Sequence, residues 1–297
     1  MKAAQTRPYN YRATLSLVVI ATLVALFGHP AAHAQERKVL AVGVFPYLST
    51  RIMLQTYEPM REYLATRLNR PVSVYTAANY RAYYQKAVRG DFDVAIYPPH
   101  LALLAQRESG SVPIARFSRV MHGVFVTTNR SPIIALEQLR GAQLATPDSA
   151  ALVTILGLEQ LVELGMLPSR DYVWRPGVSH NSALLQLQRG SVQLALVANS
   201  ALDQMPADQR ENIRVLGRTE DFPALIIMAR RNLPEDTRSA LRLALLDWHK
   251  TPDGARALES LKFADIVPIG SHELDNFKVY LTATRDALNA PIQATTR

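Results

Sequence analysis

The chain has 297 residues, enough for two modest domains with full cores. It contains no cysteine, which excludes a disulfide scaffold, a cysteine-based zinc site, a thiol nucleophile and lipid attachment through a thiol. The formal charge of +8 is spread without basic runs, so nucleic acid is not an expected partner.

The chain opens with Lys2, Arg7 and Arg12, the apolar run "LSLVVIATLVALFG" and the small-residue site Ala32-His33-Ala34, the order of an export signal. The run is shorter than the roughly 20 residues that a membrane-spanning helix needs. A cleaved signal over 1–34 is therefore expected, with the mature chain starting at Gln35 and carrying no lipid anchor. Without those three bases, 30 basic residues face 25 acidic ones, a mild bias toward small anionic partners.

Beyond the signal, the pattern predicts a strand ending near Val44, then a turn through Pro46 and Tyr47. A helix follows, and then the strand-like "PVSVY" (Pro71 to Tyr75). A helix opens at Tyr80 and stops at Gly90, before the buried strand "DVAIY" and the turn Tyr97-Pro98-Pro99. About one hundred residues later the order returns. "LLQLQRGSVQLALV" (Leu184 to Val197) echoes "QKAVRGDFDVAIY" (Gln85 to Tyr97), and His180 stands where Tyr80 stood. Further upstream, "QLATPDSAA" echoes "VGVFPYLST", with Thr146-Pro147 against Phe45-Pro46. Strand, helix, strand, helix, strand occurs twice, the layout of two α/β lobes with mostly parallel sheets flanked by helices.

"ATPDSAALVT" (Ala145 to Thr154) marks a strand feeding a helix that ends at Gly165. Thr146 could cap that helix with Pro147 in its first turn, or Ser149 could cap it and leave the amides of Ala150 and Ala151 free. Either start points unpaired amides and a positive dipole end outward. The last third has no echo. The strand-like "FPALIIMAR" and helices near Asp236–Lys250, Gly254–Leu261 and His272–Leu288 are expected to return the chain to the first lobe. The connections between lobes are expected near Val124–Asn129 and at Phe222-Pro223. That puts 35–126 plus 223–297 in lobe 1 and 127–222 in lobe 2.

Ligands of open α/β sheets collect beyond the carboxyl ends of the strands. Tyr47, Tyr80, Tyr97, Ser149, Ala150, Ala151, His180, Asn181 and Asn199 are accordingly expected around an interlobe cleft. No metalloprotease, nucleophile-elbow, Walker or dinucleotide motif is present, and the seven histidines lack ligand-like spacing. Catalysis, a metal and a cofactor are not expected.

Four segments, "GVFPYLSTRIMLQTYEPMREYL", "ANYRAYYQKAVRGDFDVAIYPPHLALLA", "LEQLRGAQLATPDSAALVTILGLEQL" and "SHNSALLQLQRGSVQLALV", resemble the phosphonate/phosphite-type substrate-binding proteins of bacterial ABC transporters. The resemblance implies the type II periplasmic-binding-protein fold, a periplasmic monomer, an ABC permease as partner, and a small oxyanion such as phosphonate, phosphite or phosphate as solute. A sensor of the same fold that signals to a membrane kinase shares every one of these motifs. The family's hydroxyl triplet on the second-lobe helix falls on Ser149, Ala150 and Ala151, so only its first hydroxyl is present. The family's tyrosines fall on Tyr47 and Tyr97, and its histidine on His180. An acid that reads an amino group in some members has no match, because Asn199 and Ser200 occupy that region.

Overall fold

The computed structural model describes residues 38–263 and 265–290; the export signal expected over 1–34 lies outside them. The first lobe is built from β1 (Leu40–Val44), α1 (Thr50–Arg67), β2 (Val72–Tyr75), α2 (Tyr80–Val88), β3 (Val94–Tyr97), α3 (Pro99–Ser109) and β4 (Val112–Phe117). A short strand, β5 (Val120–Met121), leads out of it. The second lobe holds β6 (Gly123–Thr128), β7 (Gln143–Thr146), α4 (Leu152–Glu163), β8 (Val173–Pro176), α5 (His180–Gln188) and β9 (Leu194–Ala198). It continues through α6 (Asn199–Asp203), α7 (Ala207–Arg210) and β10 (Ile213–Arg218). The chain then returns through β11 (Phe222–Pro223) to β12 (Ile226–Ala229), α8 (Glu235–Asp247), α9 (Pro252–Leu261), β13 (Ile266–Val267) and α10 (Leu281–Asn289).

The sheet orders are β13-β4-β12-β3-β1-β2 and β10-β6-β9-β7-β8. In the first, β2, β1 and β3 run parallel, and β12 pairs antiparallel with β3. In the second, β8, β7 and β9 run parallel, and β6 pairs antiparallel with β9. The echo in the sequence is thus a repeated sheet plan, and each copy borrows its antiparallel strand from just after a lobe crossing. Both repeats stop their middle helix in the same way. Gly90 and Gly190 take φ of 84° and 72°, a left-handed geometry that lets the next amide reach back to the last turn.

The first crossing falls earlier than the apolar run "VFVTT" suggested. Because β6 pairs with β9 and β10 along its length, residues 123–126 belong to the second sheet, and the chain changes lobe between Phe117 and Gly123. There β5 pairs antiparallel with β11, so the two crossings form one small ladder. Beside it the Gly123 amide donates to Thr219 Oγ1 (2.8 Å) and the Thr219 amide to the Gly123 carbonyl (3.0 Å). A Cβ on Gly123 would come within 3.0 Å of the Thr219 methyl, so glycine permits this approach.

The second lobe has an apolar core on each face of its sheet, one around Phe125, Leu144 and Leu161, the other around Val126, Leu184 and Val197. The first lobe's core is larger and crosses the cleft to include Ala150, Ala151, Leu152, Val153, Leu156 and Ala198 of the second. Burial of this apolar surface holds the lobes together. Among the described residues no helix is long and apolar enough to cross a membrane.

Candidate functional site

The carboxyl ends of both parallel triplets point into one cleft, where a cavity of about 40 Å³ remains. That is room for a few heavy atoms. The first lobe contributes Phe45 and Tyr47 after β1, Tyr80 at the start of α2, Pro98 and Pro99 after β3, and Phe263. From the second come Ala151, Leu152 and Val153 at the start of α4, His180 at the start of α5, and Ala198 and Ser200 after β9. Met121 and the stretch from Phe222 to Leu225 close the hinge side. Among the described residues no Lys, Arg, Asp or Glu lines these walls.

Neither capping scheme expected at "TPDS" forms. The α4 helix begins at Leu152, its N-cap position is Ala151, and no side chain caps it. Asp148 has instead folded the preceding turn around itself. Its Oδ1 accepts the Ala150 amide (2.9 Å) and its backbone carbonyl accepts the Ala151 amide (2.9 Å). An Asx turn of this kind competes directly with an N-cap. The amides expected to be free are therefore occupied, and the open donors move one step on. Leu152 and Val153 are the first two helical residues, so their amides have no acceptor within the helix. Thr146 donates to the Pro147 carbonyl and accepts from Trp174 Nε1 (3.0 Å), which ties β7 to β8.

The other Asp148 oxygen reaches across the cleft to the Tyr80 amide at the start of α2 (3.3 Å). Burial pushes its carboxyl above the usual carboxylate range, while the Ala150 and Tyr80 amides and the nearby Arg81 pull the other way. Arg81 itself is held by the Leu288 and Ala290 carbonyls. Two more bonds join the lobes: the His180 amide to the Tyr47 carbonyl (3.4 Å), and His100 Nε2 to the Ala150 carbonyl (2.8 Å).

His180 is 5 % exposed, and burial lowers its pKa to about 4, so the ring is neutral. Its Nδ1 accepts the Ala198 amide (3.1 Å), which places the ring proton on Nε2. Among the described residues Nε2–H has no partner, and the ring lines the cavity. Tyr47 stacks on Phe45 with centroids 5.0 Å apart and shares a hydrogen bond with the Tyr57 hydroxyl (3.2 Å). Phe45 meets Tyr80 edge-on. Burial drives the Tyr47 and Tyr80 hydroxyls far from ionisation, so both rings are neutral hydrogen-bonders.

Of the residues singled out in the sequence, Tyr47, Tyr80, Ala151 and His180 meet at the cavity. Ser149, Ala150, Tyr97, Asn181 and Asn199 do not line it. Tyr97 is fully buried against Tyr83 and Tyr84, and its hydroxyl has no partner. Asn199 accepts the Ser200 amide (3.0 Å) and positions that serine. Asn181 follows His180 on α5, with its Oδ1 buried and unpartnered. His100 and Asp148 were not singled out, and Ser200 was met only as the neighbour of Asn199. The hundred-residue offset that pairs Tyr80 with His180 also pairs His100 with Ser200, and the offset of 101 that pairs Pro46 with Pro147 pairs Tyr47 with Asp148, so the signal was there. Among the described residues no cluster of potential metal ligands occurs.

The family model for the periplasmic substrate-binding protein of the phosphonate ABC transporter matches residues 42–274, most of the chain. The chain belongs to this family. Its fold is that of a two-lobed type II periplasmic binding protein, a scaffold for binding and transport rather than catalysis. A binding-protein component of an ABC phosphonate transporter from Pseudomonas aeruginosa superposes with a TM-score of 0.77 at 16% identity, over 87% of this chain and 91% of its own. PhnD1 from Prochlorococcus marinus, in complex with methylphosphonate, gives 0.75 at 15% identity, over 84% and 98%. A Xanthomonas citri protein bound to chloride ion gives 0.68 at 21% identity, over 84% and 99%. At these identities the likeness establishes the fold.

Proposed function

We propose that this protein is the periplasmic solute-binding component of an ABC importer, and that its solute is a small oxyanion held between the lobes. The observation that carries the reading is the neutral, buried His180, whose unpartnered Nε2–H lies at the cavity with the start of α4 and Ser200. These groups offer hydrogen bonds and a positive dipole end to one acceptor head, and a closed, dry cleft strengthens such bonds. The methylphosphonate-bound and chloride-bound relatives support an anion as the solute class. Export through the 1–34 signal would leave a free protein beginning at Gln35, able to deliver its solute to a permease; intact mass of the periplasmic fraction tests that start.

The binding test is a thermal-shift screen of the purified protein with phosphite, phosphate, alkylphosphonates and their monoesters, sulfate, small carboxylates and neutral solutes. A true ligand at about 100 times its dissociation constant adds about 2.7 kcal/mol of stability, and His180→Phe should remove that gain. Stabilisation by a neutral solute and by no oxyanion would sink the reading.

A further inference from the structure

We propose that Asp148 sets the charge selectivity of this cleft: the site takes a compact solute with a short alkyl body and a singly charged oxyanionic head, and turns away phosphorus dianions. The inference rests on the oxyanion reading above and narrows it.

Two amides beside the site, those of Tyr80 and Ala150, already bond a negative group, the Asp148 carboxylate. Tyr80 opens a nine-residue helix, so this carboxylate takes the place where that helix would greet an anion. It bonds the backbone of one wall residue, Tyr80, and of the neighbour of another, Ala151. Among the described residues the walls supply no cation, since none of them is Lys or Arg. The favourable field comes from the start of α4, equivalent to roughly half a charge, with neutral donors at His180 Nε2 and Ser200. That can offset about half of one negative charge, and the neutral donors hold the remainder by hydrogen bonds. Two more beside the half-buried Asp148 carboxylate, whose charge the nearby Arg81 only partly offsets, would put like charges together, and repulsion strengthens as the cleft dries. The remaining surface of Phe45, Met121, Leu152, Val153, Phe222 and Phe263 is apolar and suits a hydrocarbon body. Burial raises the Asp148 pKa against the pull of the Ala150 and Tyr80 amides and Arg81, so desolvation already disfavours this one charge.

The deciding measurement is calorimetric titration of the full protein at mildly alkaline pH with two matched pairs. These are methylphosphonate against its monomethyl ester, and ethylphosphonate against its monomethyl ester. Within each pair the body is kept and one charge is removed. The monoester should bind about tenfold or more tightly than the dianion in at least one pair. Asp148→Asn keeps the shape and an amide-accepting oxygen, and should shrink that gap about tenfold by improving dianion binding. Equal affinities, or a tighter dianion, in the unsubstituted protein overturn the proposal while leaving the oxyanion reading intact. A gap that survives Asp148→Asn also overturns it, because the selectivity then arises elsewhere. If neither pair binds, the proposal falls, and the screen above shows whether the oxyanion reading falls with it. Should Asp148→Asn fail to fold, Asp148→Ser, which also removes the charge and keeps an accepting oxygen, takes its place with the same expected and overturning results.

Discussion

His100 and His180 are both enclosed, both neutral, and both bonded to backbone at the cleft. Burial lowers each pKa from 6.5 to about 4, and for His100 the Ala150 carbonyl only partly opposes this. The unfolded chain therefore takes up protons between those values that the folded protein refuses. Stability is full above about pH 6.5 and falls as pH drops toward 4, by up to about 3 kcal/mol per ring. The raised Asp148 carboxyl runs the other way and offsets part of the loss. Denaturant melts at neutral and acid pH should show this drop, and His100→Gln should remove roughly half of it. A pH-independent midpoint over that range would rule out two buried neutral rings. At this scale the sequence disclosed residue types better than their directions. Tyr97 ends a strand buried on both faces, and such strands carry no alternation to say which way a ring points. Thr146, Asp148 and Ser149 each suit a helix start, and the Asx turn that won needs only one carboxylate and two nearby amides.

Among the elements, α4 carries the site and is the most tightly constrained. Leu152 through Gly157 are all buried, because the helix lies between its own sheet and the first lobe. A Cβ at Gly157 would come within 2.1 Å of a Leu196 methyl and 3.1 Å of Phe125, both in the core under the helix. Helix propensity alone favours alanine there by about 1 kcal/mol, whereas overpacking a core costs about 1–3 kcal/mol. Gly157→Ala should therefore destabilise in urea melts and lift the α4 start away from the cavity, weakening ligand binding as well. A more stable variant would show that Leu196 yields easily. The helix–glycine–strand units were legible because their punctuation is local: a helical face, a left-handed glycine, a short apolar run. The β6 boundary was not, because "VFVTT" suits either sheet and its partners β9 and β10 lie far along the chain.

For the whole molecule, two lobes and a cleft could be read from the repeat, but the contacts that close the cleft could not. They join residues far apart in sequence: Asp148 to Tyr80, His100 to Ala150, and His180 to Tyr47. Val153 shows how closure and folding can be separated. It is 3 % exposed, yet it packs in the cluster of the first lobe rather than in either core of its own. Val153→Asp should hold the lobes apart while leaving each folded, because a charge there has nowhere to hide when the cleft shuts. Small-angle scattering should then report a larger radius of gyration, with a near-native circular dichroism spectrum and ligand affinity reduced about a hundredfold or more. A closed, binding-competent Val153→Asp protein would contradict this view of the interface.

The paired bonds between Gly123 and Thr219 carry a consequence for how such proteins diversify. They bring the two ends of the second lobe together, so the stretch from 123 to 219 leaves and re-enters its host at a single point. A segment with adjoining ends can be cut out, closed by a short loop, or exchanged for a homologous cassette without rethreading the remainder. Because α4, His180 and Ser200 travel on that cassette while Tyr47 and Tyr80 stay behind, grafting it between relatives would recombine half-sites. New solute preferences could then arise from old parts in one step.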